Sequence, residues 1–230
     1  MTEARPSARV AATEVLAGLT GTALGFAVGG PAGALVGGAT PAAISAVLRY
    51  GDTTLEGRRQ RAATALTVAA DLLGGGVDDL ETMLADDPAR LELLARILEA
   101  AGHTPLAEKI PALGRVLAAG LGNSASLDGA FLLAAALNEL EAPHVQVLQT
   151  IAVREPPPDL LGQPQESWGT TELADLHLPF RYLMISIIST LDRHALIWDM
   201  GENVEGGRRW VITEIGTQIL DLLHPNSLAL

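Results

Sequence analysis

Cysteine is absent from the chain, which removes disulfides, thiolate nucleophiles and cysteine-ligated metal or iron–sulfur centres, and leaves the redox compartment open. Aromatic residues make up 3% of the sequence, too few for a platform on which successive bases stack. Positive charge is scarce as well. Fifteen Lys+Arg stand against 27 Asp+Glu, a formal net of −12, and Lys109 is the single lysine. The average surface therefore repels nucleic acid phosphates and anionic lipid head groups, so any such contact must be local. His103, His144, His177, His194 and His224 are spread singly, with no HExxH spacing, and neither G-x-S-x-G nor G-x-x-x-x-G-K-[ST] occurs. Gly120-Leu121-Gly122-Asn123 precedes a helix without the lysine or the preceding strand of a phosphate loop. Asp78-Asp79 and Asp86-Asp87 stand at helix starts, where capping and the helix dipole explain carboxylates better than acid–base work does. No catalytic residue, metal site or cofactor is expected, and the chain reads as a non-enzyme.

Glycine is what the chain has in excess. Gly21, Gly25, Gly29, Gly33 and Gly37 stand four residues apart inside Val15–Leu48, a run without formal charge. Glycine costs about 1 kcal/mol per helical site relative to alanine, so a regular repeat needs a return. Close backbone approach between helices in a bilayer or an oligomer supplies one. At about 1.5 Å per residue the run would extend about 51 Å as one helix, well past a hydrocarbon core of about 30 Å. Gly30 and Pro31 break it into a helical hairpin with arms Val15–Val28 and Ala32–Leu48. Each four-residue step drifts about 40° around a helix, so Gly21, Gly25 and Gly29 line one arm and Gly33 and Gly37 the other. Arg5 and Arg9 precede the run and Arg49, Arg58, Arg59 and Arg61 follow it, which favours both ends on the cytoplasmic side. The expected location is cytoplasmic, peripheral or inserted at the inner face of the cell membrane. Two alternatives stand beside this one: a secretory signal peptide with Arg5 and Arg9 as its n-region, and a soluble Ala/Gly hairpin buried against the body.

The middle of the chain is helical with clear punctuation. Thr54–Leu73 ends at Gly74-Gly75-Gly76, and Val77–Ala85 forms a short acidic helix. Asp87-Pro88 caps and opens a helix through Ala101, and Thr104-Pro105 opens another to Ala119 that Pro111 should kink. Leu127–Leu140 follows. The expected class is mainly α, in three parts: a glycine-zipper apolar hairpin over 1–50, a small helical bundle over 51–141, and a distinct module over 142–230.

In that last module a helix over Pro143–Ala152 precedes a breaker-rich loop from Glu155 to Thr170. Helices over Thr171–Leu176 and Pro179–Arg193, a strand over Ala195–Asp199, a turn over Gly201–Gly207, a strand over Arg208–Ile212 and a helix over Thr213–Leu223 complete it. This order resembles a winged helix-turn-helix with a short two-stranded β wing, and Ile212-Thr213-Glu214-Ile215-Gly216 is like that family's strand-to-helix turn. Arg208 and Arg209 in the wing read first as an ordinary solvated turn, with contact to phosphate as the alternative. The helix that would read DNA is nearly without donors for base edges, and from Ala142 onward eleven Asp/Glu face five Arg, so nucleic acid is not the expected partner.

Taken together, the apolar N-terminal segment, the helical middle and the Ile-Thr-Glu-Ile-Gly module resemble the bacterial Abi-alpha (abortive infection) family. The glycine row stands outside that family's pattern. The resemblance implies a role in phage defence or bacterial conflict, as an effector whose soluble body restrains the hairpin until it associates with a membrane or with copies of itself. The alternative is a soluble winged-helix regulator or scaffold that binds protein and oligomerises through the Gly-rich hairpin. Expected partners are the chain itself, a lipid bilayer or another protein.

Overall fold

The computed structural model describes residues 41–75, 80, 83–84, 87–158, 165–202 and 207–225. It is mainly helical, with eight α-helices and a three-stranded antiparallel sheet among those residues. The chain divides into two compact units, Met1–Phe131 and Leu132–Leu230.

In the first unit α1 runs without interruption over Pro41–Leu72, 32 residues. It begins within the expected second arm of the hairpin rather than at Thr54, because no residue between Pro41 and Thr54 forbids helical dihedrals: the proline stands at the first position, where its missing N–H costs nothing. It stops where the triple glycine predicts. The Gly74 N–H donates to Asp71 O at 3.2 Å and the Gly75 N–H to Ala70 O at 3.2 Å, a Schellman closure with Gly74 at φ +72.

α2 (Pro88–His103) starts at Asp87, whose carboxylate accepts from the Ala89 and Arg90 N–H groups. α3 (Lys109–Gly122) begins four residues later than Pro105, and this removes the expected kink. Pro111 falls in the first turn, where backbone N–H groups have no intrahelical partner to lose. α1 packs on α2 and α3, which also pack on each other. Ala65, Leu66 and Ala69 of α1 are buried with Leu93, Ile97, Leu113 and Leu117. The approach of α1 and α3 is close: a Cβ on Gly114 would lie 2.6 Å from Ala65 O and 2.8 Å from Val68 Cβ. The Arg61 guanidinium donates to Gly102 O at 2.6 and 3.2 Å, satisfying a carbonyl that the end of α2 leaves open. A 3-10 turn at Ser124–Ser126 leads into α4 (Leu127–Glu139), and the boundary between the units falls inside α4.

The second unit continues with α5 (Ala142–Val153), β1 (Trp168–Gly169), α6 (Thr170–Leu176), a 3-10 turn (Leu178–Leu183), α7 (Met184–Arg193), β2 (Ile197–Glu202), β3 (Arg208–Ile212) and α8 (Glu214–Leu223). β3 appears where expected, and β2 is shifted, starting two residues later than Ala195 and ending three later than Asp199. The sheet has three strands rather than two, in the order β1-β3-β2. Its extra strand lies in the stretch that composition marks as loop, and it pairs Trp168 with Trp210 and Gly169 with Arg209. The helix expected over Pro179–Arg193 is also divided, its first part being the 3-10 turn and α7 starting at Met184. Leu173, Ile187, Leu191, Leu196, Trp210, Ile219 and Leu148 form the core of this unit.

Candidate functional site

The glycines Gly21, Gly25, Gly29, Gly33 and Gly37 and the turn residues Gly30 and Pro31 lie outside the described residues. Among the described residues no helix is long and apolar enough to cross a membrane, and α1 carries charge from Arg49 onward.

The two arginines expected in a wing part company. Arg208 is exposed, with Nε 3.5 Å from Asp199 Oδ2. Arg209 turns inward, and only 8% of its side chain is exposed. Its Nε donates to Ser167 Oγ at 2.9 Å and its Nη groups donate to Ser167 O and to the Glu172 carboxylate. Glu172 also accepts from the Gly169 N–H at 2.9 Å, so one carboxylate caps α6 and neutralises the buried guanidinium. That latch fastens β1 to the sheet, and it takes Arg209 out of reach of an external phosphate, correcting its assignment to the wing surface. The Trp indoles strengthen the same edge, Trp210 Nε1 donating to Thr170 Oγ1 at 2.9 Å and Trp168 Nε1 to Arg154 O at 3.3 Å. Two residues of strand show no alternation, so only the Trp-Gly-Thr-Thr-Glu sequence itself, with its capping Glu172, signals this element.

Thr213-Glu214-Ile215-Gly216 has a structural explanation. The Thr213 hydroxyl donates to Ala195 O at 2.7 Å and accepts from the Gly216 N–H at 3.0 Å, capping α8. A Cβ on Gly216 would lie 2.1 Å from Leu196 O, so glycine alone fits there. The motif ties the end of β3 to the end of α7.

The outward side of the 3-10 turn and the first residues of α7 is largely apolar. Tyr182, Leu183 and Ile185 are 97%, 57% and 79% exposed, with Leu176 and Leu178 beside them in sequence, while Met184, Ile187, Ile188 and Leu191 are buried beneath. Ser186, Ser189, Asp192 and Arg193 are the exposed polar residues between Ile185 and the end of α7. The flanking arginines are already paired. Arg181 lies 3.3 Å from Asp175, and Arg193 bonds Glu139, which His194 Nε2 also approaches at 3.3 Å. Partial desolvation raises the Glu139 pKa, but the hydrogen bond and charge of His194 and the charge of Arg193 carry it below the ordinary carboxylate range.

The histidines serve separate local duties. His144 Nδ1 accepts from the Glu141 N–H at 3.0 Å, and His177 meets Thr150. Among the described residues no group of three His, Cys, Asp or Glu side chains could hold a metal ion. The chain matches no family model, no curated protein and no solved structure.

Proposed function

We propose that this chain is a non-enzymatic interaction protein that assembles with copies of itself: its second unit is a winged helix whose recognition-helix face docks a second copy, and its glycine-rich N-terminal segment joins copies or enters a membrane at the cytoplasmic face. The element order α5-β1-α6-α7-β2-β3 and the sheet order β1-β3-β2 support the winged-helix reading. The observation that carries the function is the exposed Tyr182, Leu183 and Ile185 where a DNA reader would present donors to base edges. An apolar patch of this kind marks a protein contact. Arg181, Arg193, Arg208 and Arg209 each lie within ion-pair distance of an acid in the same unit, which leaves little positive charge for phosphates. Because Arg181 and Asp175 neutralise one another beside the patch, two copies can face each other there without a like-charge clash.

The effector reading gains one observation of its own: α1 starts inside the apolar run and continues into the bundle core, a rigid route from body to segment. Its link to phage defence rests on the sequence resemblance, and survival of infected cells expressing the chain addresses it.

Sedimentation velocity of the full chain beside Tyr182→Glu/Ile185→Glu tests the docking face. Both positions are exposed, so the fold is spared, and the variant is expected to fall to a lower stoichiometry. An unchanged stoichiometry rejects the face as the interface. Vesicle flotation of the full chain, of Gly25→Leu/Gly33→Leu and of a chain beginning at Pro41 reads the N-terminal segment separately.

A further inference from the structure

Tyr182, Ile185, Ser189 and Asp192 are all exposed, and they stand three, four and three residues apart. The 3-10 turn at Leu178–Leu183 runs directly into α7, with Leu183 and Met184 both in the right-handed helical region, so one continuous helical run carries the four. Steps of three and four keep residues in a single stripe along a helix, and their alternation is the a/d seam of a coiled coil. Met184, Ile187, Ile188 and Leu191 form the buried side of α7, so the seam is a separate stripe that faces solvent.

What the four positions hold decides how a second copy can lie on them. In a parallel pair each residue meets its own equivalent. Ser189 opposite Ser189 then leaves a gap in the third layer, and Asp192 opposite Asp192 sets two like charges together in the fourth, which costs affinity. In an antiparallel pair an a position meets a d position. Ile185 then fills the space over Ser189 of the second copy, and the Tyr182 ring lies against Asp192 of that copy with its hydroxyl in reach of the carboxylate. Every layer now sets a large residue on a small one or a donor on an acceptor. The groups needed are available: Arg193 beside Asp192 is taken by Glu139 and Arg181 by Asp175, so Asp192 has no ion pair among the described residues, and nothing there hydrogen-bonds the Tyr182 hydroxyl.

We infer that two copies pair through antiparallel α7 helices about a two-fold axis passing between Ile185 and Ser189, with the Tyr182 hydroxyl of each copy donating a hydrogen bond to the Asp192 carboxylate of the other. The pairing rests on the reading of this face as the contact with a second copy, and fixes its direction and register. The seam is only about three helical turns long, so its apolar layers are few and the two equivalent charged hydrogen bonds carry much of its affinity.

Sedimentation equilibrium of the full chain beside Tyr182→Phe, Asp192→Asn and the double variant tests the bond. Both replacements keep the size of the side chain at an exposed position, so the fold and the apolar patch are spared. Each is expected to raise the dimer Kd by about tenfold or more, since a hydrogen bond to a charged group is lost twice in a symmetric dimer, and the double variant should be no weaker than the weaker single variant. A parallel pair predicts the opposite sign at one position, because Asp192→Asn would relieve the facing acids. Tightening by Asp192→Asn, an unchanged Kd in either single variant, or additive losses in the double variant overturns the antiparallel seam. If Tyr182→Glu/Ile185→Glu still separates the copies in that case, the docking face stands and its geometry alone falls. A full chain that stays monomeric at every concentration removes both.

Discussion

In the first unit the decisive contacts are made by atoms that are missing. Gly114 lets α3 approach α1 until a Cβ would touch the Ala65 carbonyl, and Gly120 leaves room for Leu93 Cδ2, which a Cβ would meet at 2.5 Å. In the second unit the decisive contacts are made by polar atoms spent inward: Arg209 on Ser167 and Glu172, Trp210 on Thr170, Thr213 on Ala195. The difference shows in what stays outside. Among the described residues the first unit buries most of its leucines and exposes Leu72 and Leu91, whereas the second unit, which turns Arg209, Trp168 and Trp210 inward, leaves Tyr182 and Ile185 in solvent. The first unit also shows Gly114 and Gly120 serving close helix packing, the same physics as the reading of the N-terminal run as an Ala/Gly hairpin buried against the body.

The comparison breaks most sharply at Arg209. Arg209→Leu leaves the Glu172 carboxylate, itself 22% exposed, without its cation and frees β1 from the sheet. Removing one partner of a buried pair costs about 3–5 kcal/mol, and solvent access to Glu172 places the expected loss near the lower end, about 3 kcal/mol. Chemical denaturation of the full chain measures it. Amide exchange should rise at Trp168 and Gly169 while α1 to α3 keep their protection. Equal loss of protection in both units would mean that they do not unfold as separate bodies.

Glycine supplies the next test, because the two units use it against different obstacles. Gly216→Ala drives a methyl group into the backbone carbonyl of Leu196, which the Thr213 N–H holds in place at 3.1 Å. Gly114→Ala meets Ala65 O and Val68 across a helix–helix contact, where a small shift of α3 absorbs part of the clash. Overpacking costs about 1–3 kcal/mol, so Gly216→Ala is expected near about 3 and Gly114→Ala near about 2 by the same denaturation measurement. The reverse order would show that the cap yields more readily than the helix crossing.

Much of this architecture was legible in the sequence for one reason: helix punctuation is local. Asp87-Pro88, Gly74-Gly75 and Thr213 mark ends by capping chemistry that needs no tertiary partner, and β3 stands where its Arg-Arg-Trp-Val-Ile run placed it. What stayed hidden depends on distant atoms. β1 exists because Trp210 and Arg209 receive it, and the burial of Arg209 follows from a carboxylate 37 positions away. The apolar character of the face at Tyr182 and Ile185 was visible in the sequence. Its exposure was not, since an apolar helix is as readily buried.

The smallest expected effect is also the cleanest comparison, because both units close a helix with the same hydrogen bonds and different residues. At the end of α1 the pattern is Gly74 to Asp71 and Gly75 to Ala70; at the end of α7 it is Ala195 to Asp192 at 2.8 Å and Leu196 to Leu191 at 2.9 Å. Gly74 takes the left-handed position at φ +72 without cost, whereas Ala195 takes it at φ +53 with a Cβ crowded against the backbone, a strain of about 1–2 kcal/mol. Relief of that strain in Ala195→Gly is partly offset by the greater backbone entropy glycine brings to the unfolded chain, so the net gain should be about 0.5–1 kcal/mol. Gly74→Ala should lose a similar amount. Opposite signs from exchanging the same two residues at equivalent positions would assign the effect to backbone conformation alone, since neither position depends on a side-chain contact: a Cβ at Gly74 meets nothing within 4 Å, and Ala195 is exposed. If Ala195→Gly instead destabilises, the alanine methyl is packing against the Thr213 cap, and the turn that carries Ile-Thr-Glu-Ile-Gly depends on it.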